Sequence, residues 1–236
     1  MDKILVIDDE KPTLDMFRLL LNAHGYTVLT AENGREGLDV FEREKPPLII
    51  TDIKMPGMDG IEVLRRIKQS DPKTEVIVIT GHGDMDLAIK ALNLDATDFI
   101  NKPIQRQYLE QALKRAKERI EFNRSNENQI SIEVKGDTVV INLRGGLTSS
   151  SESHLLKAFQ DAFATEKVNI LLLFDQNASV NGAGISILTQ ILLDARKQGR
   201  SISIAGLSDN FRRVFKIVGI SKLVKEFDTE EAALSG

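Results

Sequence analysis

The chain opens with an apolar run, Ile4 to Ile7, that ends in three acids, Asp8, Asp9 and Glu10. A short apolar run bounded by polar residues reads as a buried strand. Four more runs follow the same pattern, so strands are predicted over Lys3–Asp8, Tyr26–Thr30, Leu48–Asp52, Glu75–Thr80 and Thr97–Asn101. Between them the apolar residues take helical spacing. Leu14, Phe17, Leu20 and Leu21 share one face, as do Ile61, Leu64 and Ile67, and then Leu109, Ala112, Leu113, Ala116 and Ile120. Five strands alternating with five helices predict a doubly wound parallel sheet covered on both faces. Ligands of such sheets bind at the carboxyl ends of the strands.

The pattern breaks at "NRSNENQ", Asn123 to Gln129, which holds no apolar residue. A boundary is predicted there, giving a first domain over 1–122, a linker over 123–129 and a second domain over 130–236. The second domain begins with two alternating runs around Lys135-Gly136-Asp137, which predict a hairpin. An amphipathic helix on Leu155, Leu156, Phe159, Ala162 and Phe163 follows, then a buried strand in "VNILLLF". "SVNGAGIS" leads into a helix carrying Ile185, Leu188, Ile191, Leu192 and Ala195. "SISIAG" is a further strand, Phe211, Val214, Phe215 and Val218 mark another helix, and Thr229–Leu234 a short final one. This is a small mixed α/β domain.

Composition narrows the function classes. Among 236 residues there is no Cys, so disulfides and thiol chemistry are excluded. No apolar run approaches the roughly 20 residues needed to span a bilayer. The N-terminus enters a charged strand directly and no signal peptide is expected; a soluble cytoplasmic protein is the expectation. The net charge of -4 is evenly divided, with 19 Lys+Arg and 22 Asp+Glu over 1–124 against 12 and 13 over 125–236. Neither half has the basic excess of a nucleic-acid binder. His24, His82 and His154 are scattered, which argues against a His metal cluster.

The strand ends carry the candidate chemistry. The first predicted strand ends in Asp8-Asp9-Glu10, the third in Asp52, the fourth in Thr80 and the fifth in Lys102-Pro103. If the first, third and fifth end side by side, carboxylates and an ammonium converge on one crevice. Such a cluster suits Mg²⁺, a hard cation that prefers oxygen ligands. The plainer alternative is that these acids cap the helices that follow.

"VIDDE", "TDIKMPGMDG", "VIVITGHGD" and "DFINKP" occur in this order across the first half. With them residues 1–122 resemble a response-regulator receiver domain, a flavodoxin-like fold. The resemblance implies that a sensor histidine kinase or phosphotransfer protein passes a phosphoryl group to Asp52. Asp9 then ligates Mg²⁺ directly, Asp8 acts through a water, and the backbone carbonyl of Lys54 is a further ligand. Lys102 pairs with the phosphoryl oxygens. Thr80 is the switch hydroxyl and Phe99 the coupled aromatic that turns inward when Thr80 moves; from residue type alone Phe99 is an ordinary core aromatic. Lys54 and His82 flank the site where the family tunes its dephosphorylation rate. Asp59 is a good N-cap for the helix after "MPGMDG". Asp95 stands where many relatives have Gly, which bears on the turn before the fifth strand.

"VVINLRGGLT", "NILLLFDQNASVNGAGISILTQ", "GRSISIAGLS" and "FKIVGISKLVKEFDTEEAAL" make residues 130–236 resemble a STAS domain, the fold of anti-sigma factor antagonists. The family's loop before the second helix reads Asp-Ser-Ser-Gly-Leu-Gly, and a serine-kinase-type anti-sigma factor phosphorylates the second Ser. Aligning the glycines puts Ser179 at the Asp, Val180 at the first Ser and Asn181 at the phosphoserine. Gly182, Ala183 and Gly184 complete the implied partner-binding loop. Asn cannot accept phosphate, so the usual serine switch is missing. Read from residues alone, "NGAG" is either an Asn cap with two turn glycines or a phosphate cradle at a helix N-terminus, the latter without the P-loop's Lys.

Three function classes compete. One is an anti-sigma factor antagonist in which Asp52 replaces the missing serine switch, with either sign of effect. Another is a phosphorylation-controlled scaffold, since STAS-like domains self-assemble and receivers pair through their fourth and fifth helices, which makes a homodimer a candidate. The third is an enzyme, for which the second half offers no nucleophile–base set beyond the receiver's own phosphotransfer.

Overall fold

The computed structural model describes residues 3–81, 83–124 and 130–235. His82 and residues 125–129, which make up most of the predicted linker, lie outside the described residues. The chain divides into two compact units, 1–124 and 125–236.

Among the described residues the first unit holds five strands and five helices. In chain order they are β1 (Lys3–Ile7), α1 (Lys11–Ala23), β2 (Thr27–Ala31), α2 (Gly34–Glu44), β3 (Leu48–Asp52), α3 (Gly60–Ser70), β4 (Glu75–Thr80), α4 (Met85–Asn93), β5 (Asp98–Asn101) and α5 (Arg106–Arg124). All strand pairs are parallel, in the order β2-β1-β3-β4-β5, which is the flavodoxin-like arrangement. Alternation along the strands builds two cores. Ile4, Val6, Leu48, Ile50, Ile77, Ile79 and Ile100 pack with Leu14, Phe17, Leu109, Ala112 and Leu113 of α1 and α5 on one face. Ile7 points to the other face, toward α2, where a Cβ on Gly37 would lie 2.4 Å from its Cδ1.

The sheet order corrects one expectation. The first and third strands are neighbours, but β4 stands between β3 and β5. The fifth strand's Lys must therefore reach across the end of β4. Helix α5 also runs to Arg124, two residues into the predicted linker. Asn123 and Arg124 contain neither Gly nor Pro to stop it.

The second unit is a mixed sheet in the order β12-β11-β9-β7-β6. Its strands are β6 (Ile130–Lys135), β7 (Thr138–Leu143), β8 (Gly146–Leu147), β9 (Asn169–Phe174), β10 (Ser179–Val180), β11 (Ser201–Ala205) and β12 (Lys225–Phe227). Its helices are α6 (Glu152–Phe163), α7 (Gly182–Lys197), α8 (Asp209–Val218) and α9 (Glu230–Ser235). β6 and β7 form the antiparallel hairpin, with Gly136 at φ +59° in its turn. The other ladders of this sheet are parallel. β8 and β10 pair separately beside the start of α7. No helix among the described residues is long and apolar enough to cross a membrane.

Candidate functional site

β1 and β3 are adjacent, so Asp8, just past β1, and Asp52, the last residue of β3, share one end of the sheet. Both are buried. The β3–α3 loop folds back over this end. Gly57 takes φ +78° in it, and Gly60 comes so close that a Cβ there would lie 2.0 Å from the Asp52 carbonyl oxygen. No residue larger than Gly fits without moving the backbone. The Asp59 side chain accepts a hydrogen bond from the Glu62 N–H at 2.8 Å and caps α3.

Lys102 crosses the end of β4. Its backbone N–H donates to the Thr80 carbonyl at 2.7 Å, which docks the residue onto that strand. The Lys102–Pro103 bond is cis. The Lys102 ammonium lies 3.3 Å from Asp52 Oδ1, 3.7 Å from Asp8 Oδ2 and 3.7 Å from Glu10 Oε2. One cation thus faces three carboxylates. Asp9 is exposed beside them. The capping alternative does not hold for these acids. Asp8 Oδ1 accepts from the Glu10 N–H at 2.8 Å, which is a turn bond, and Asp59 rather than Asp52 caps α3.

Burial dominates the electrostatics. It pushes the Asp52 carboxyl above the ordinary carboxylate range, with Lys102 opposing and Asp8 adding to the rise. Burial also raises Asp8, against the Glu10 N–H bond and Lys102. Burial alone would lower Lys102, but Asp52, Asp8 and Glu10 together outweigh it and hold the ammonium above its usual value. Asp8 Oδ2 is buried with no hydrogen-bond partner. A carboxylate oxygen in that state favours a cation beside it.

Thr80 and Asn101 are register partners at the end of β4 and β5. The Thr80 hydroxyl donates to Asn101 Oδ1 at 2.8 Å. Phe99 is fully buried in this same structure. Lys54 is exposed, and its ammonium reaches Asp84 at 2.8 Å, bridging the loops that follow β3 and β4.

The structure brings Asp8, Asp52, Lys102 and Thr80 to one strand end, with Asp9 and Lys54 at its rim. Three neighbours were not singled out as site residues from sequence: Glu10, Asn101 and Asp84. Glu10 carried a signal, since it completes the acid triplet. Asn101 and Asp84 needed the sheet register and the loop path.

The implied loop of the second unit sits differently. Ser179, Val180, Asn181, Gly182 and Gly184 are buried and Ala183 is half-buried, so these side chains are not a free contact surface. The physical cause is the β8–β10 pair. Asn181 N–H donates to the Leu147 carbonyl, and a Cβ on Gly184 would lie 2.4 Å from that same oxygen. Asn181 Oδ1 accepts from the Gly184 N–H at 2.9 Å and caps α7. The exposed neighbours are Ser186 and Gln190 on α7.

Buried acids and one reaching Lys gather at the end of a 2-1-3-4-5 parallel sheet, the fold of receiver domains. Residues 4–114 match the response regulator receiver domain family, and residues 130–225 match the family described as "Mlab, STAS domain". The sporulation initiation phosphotransferase F of Bacillus subtilis is 35% identical over 114 residues, which are 48% of this chain and 92% of that protein. The chain belongs to the response regulator receiver family through its first unit and carries a STAS domain in its second. The transcriptional regulatory protein GlrR of Escherichia coli is 38% identical over 110 residues, 47% of this chain. This chain spans a quarter (25%) of GlrR's own length. A solved signal receiver domain from Vibrio parahaemolyticus is 32% identical, with a TM-score of 0.50, covering 54% of this chain and 98% of that one.

Proposed function

We propose that this chain is a two-component response regulator in which phosphorylation of Asp52 controls protein binding by the STAS unit. The observation that carries the reading is the Lys102 ammonium, set within 3.3 Å of Asp52 and 3.7 Å of Asp8. A carboxylate is a weak nucleophile at phosphorus, and transfer depends on positioning and on neutralising charge. The Asp52 carboxylate attacks the phosphorus of a phosphohistidine on a sensor kinase or phosphotransfer protein. The nitrogen–phosphorus bond breaks and the imidazole leaves. Lys102 meets the charge on the transferring oxygens. Thr80 leaves Asn101 and donates to one of them.

The donor set fits Mg²⁺. Among the described residues no group of three or more His, Asp or Glu side chains forms a ready metal cage. Mg²⁺ does not need one, because it keeps several waters and takes one or two carboxylates. Asp9, Asp52 and the Lys54 carbonyl would hold it, with Asp8 Oδ2, which makes no hydrogen bond, acting through a water. When bound, the ion supplies positive charge to phosphoryl oxygens.

The STAS unit is the output. Asn181 in place of a phosphorylatable Ser, tied into the α7 cap, supports a switch moved to Asp52, as in an anti-sigma factor antagonist under receiver control. Mass spectrometry after acetyl phosphate treatment in Mg²⁺ tests the first step; one phosphate on the wild type and none on Asp52→Ala is expected. Binding to a serine-kinase-type anti-sigma factor of the same organism, with and without beryllofluoride, tests the output. Equal affinity in both states refutes the coupling. A second reading is favoured by the matched family's description, which names Mlab rather than an antagonist. The STAS unit then binds a partner outside sigma control or a second copy, and concentration-dependent light scattering with beryllofluoride distinguishes the latter.

A further inference from the structure

Asn101 precedes Lys102 and is the register partner of Thr80. The two side chains meet at 2.8 Å, with the Thr80 hydroxyl as donor. Thr80 is 1% exposed, so water does not compete for that hydrogen. A hydroxyl has one hydrogen to donate. It cannot serve Asn101 and a phosphoryl oxygen on Asp52 at the same time. The Asn101 bond therefore exists in the resting arrangement and is lost when Thr80 serves the phosphoryl group.

We propose that Asn101 is a positioning residue that holds Thr80 in its resting orientation and so opposes the phosphorylated state. The inference rests on the receiver reading above, with Thr80 as the group that responds to Asp52. The Thr80–Asn101 bond is the contact at this strand end that Thr80 must give up to serve the phosphoryl group. Asn101 also joins the resting bond to the acceptor, since the next residue's ammonium lies 3.3 Å from Asp52. A group that stabilises only one of two states lowers the apparent affinity of any ligand of the other.

The test is beryllofluoride binding to the full chain in Mg²⁺. Removing one neutral internal hydrogen bond is worth about a fivefold change in equilibrium. Asn101→Ala lowers the half-saturating beryllofluoride concentration about fivefold. Asn101→Asp, which keeps an acceptor oxygen, stays at or above the wild-type value. In a Thr80→Ala background, Asn101→Ala has no further effect, a result that a general packing defect does not produce. Unchanged or weaker binding by Asn101→Ala overturns the proposal while leaving the receiver reading intact, and so does an equal gain in the Thr80→Ala background. If wild type and Asp52→Ala bind beryllofluoride alike, the receiver reading itself fails and the proposal with it.

Discussion

Asp8→Asn should make the receiver unit more stable when no divalent cation is present. Asp8 is fully buried, and Oδ2 has no hydrogen-bond partner. Desolvating a carboxylate costs several kcal/mol. Lys102 at 3.7 Å returns roughly 4 kcal/mol at an effective dielectric of about 20, while Asp9 and Glu10 repel. Burial is the largest influence, and it leaves the carboxyl raised above its ordinary value. An Asn keeps Oδ1 for the Glu10 N–H, 2.8 Å away, and removes the charge. The expected gain is about 1–2 kcal/mol, or about 3–8 °C in the melting temperature of a unit this size. The sign follows from linkage. A carboxyl whose folded value is raised contributes stability that is fully present below its unfolded value and is lost as pH rises through the folded one. The gap between variant and wild type should therefore open above the ordinary carboxylate range and close in acid. Mg²⁺ at 100 times its dissociation constant adds about 2.7 kcal/mol to the wild type, which should narrow or reverse the order. Scanning calorimetry of the full chain in chelator, across pH and then in Mg²⁺, makes the measurement. An Asp8→Asn melting point at or below wild type at neutral pH in chelator would refute the burial argument.

Other consequences concern the scaffold. Arg115 meets Asp98 at 2.5 Å with both fully buried, so Arg115→Ala takes the guanidinium from a buried carboxylate and should cost about 3–5 kcal/mol in urea unfolding of the receiver unit. Gly184→Ala drives a Cβ toward the Leu147 carbonyl, now 2.4 Å from that position, and should destabilise the STAS unit by about 1–3 kcal/mol by the same assay. Asn181→Ala removes the α7 cap and should cost about 0.5–2 kcal/mol, whereas Asn181→Ser keeps a capping oxygen and should sit near wild type.

Much of the receiver unit is legible in the chain itself. Continuous apolar runs give β1, β3 and β4 their identity because a strand buried on both faces has no polar positions to alternate. Acids at the ends of β1 and β3 and a Lys just past β5 mark the site because carboxyl ends of parallel strands face one crevice. The Asn181 substitution at the STAS loop is likewise visible as a residue type that cannot take phosphate. What tertiary structure decided is who meets whom. Sequence carries no strand order, so only the fold shows β4 between β3 and β5, Lys102 reaching across it, and Asn101 opposite Thr80. Burial is also a collective property. The STAS loop has polar and small residues that read as surface, yet the β8–β10 pairing encloses them. Local pattern fixes which residues can form an element, while register and packing between distant elements fix which side chains touch, and the chemistry depends on the second.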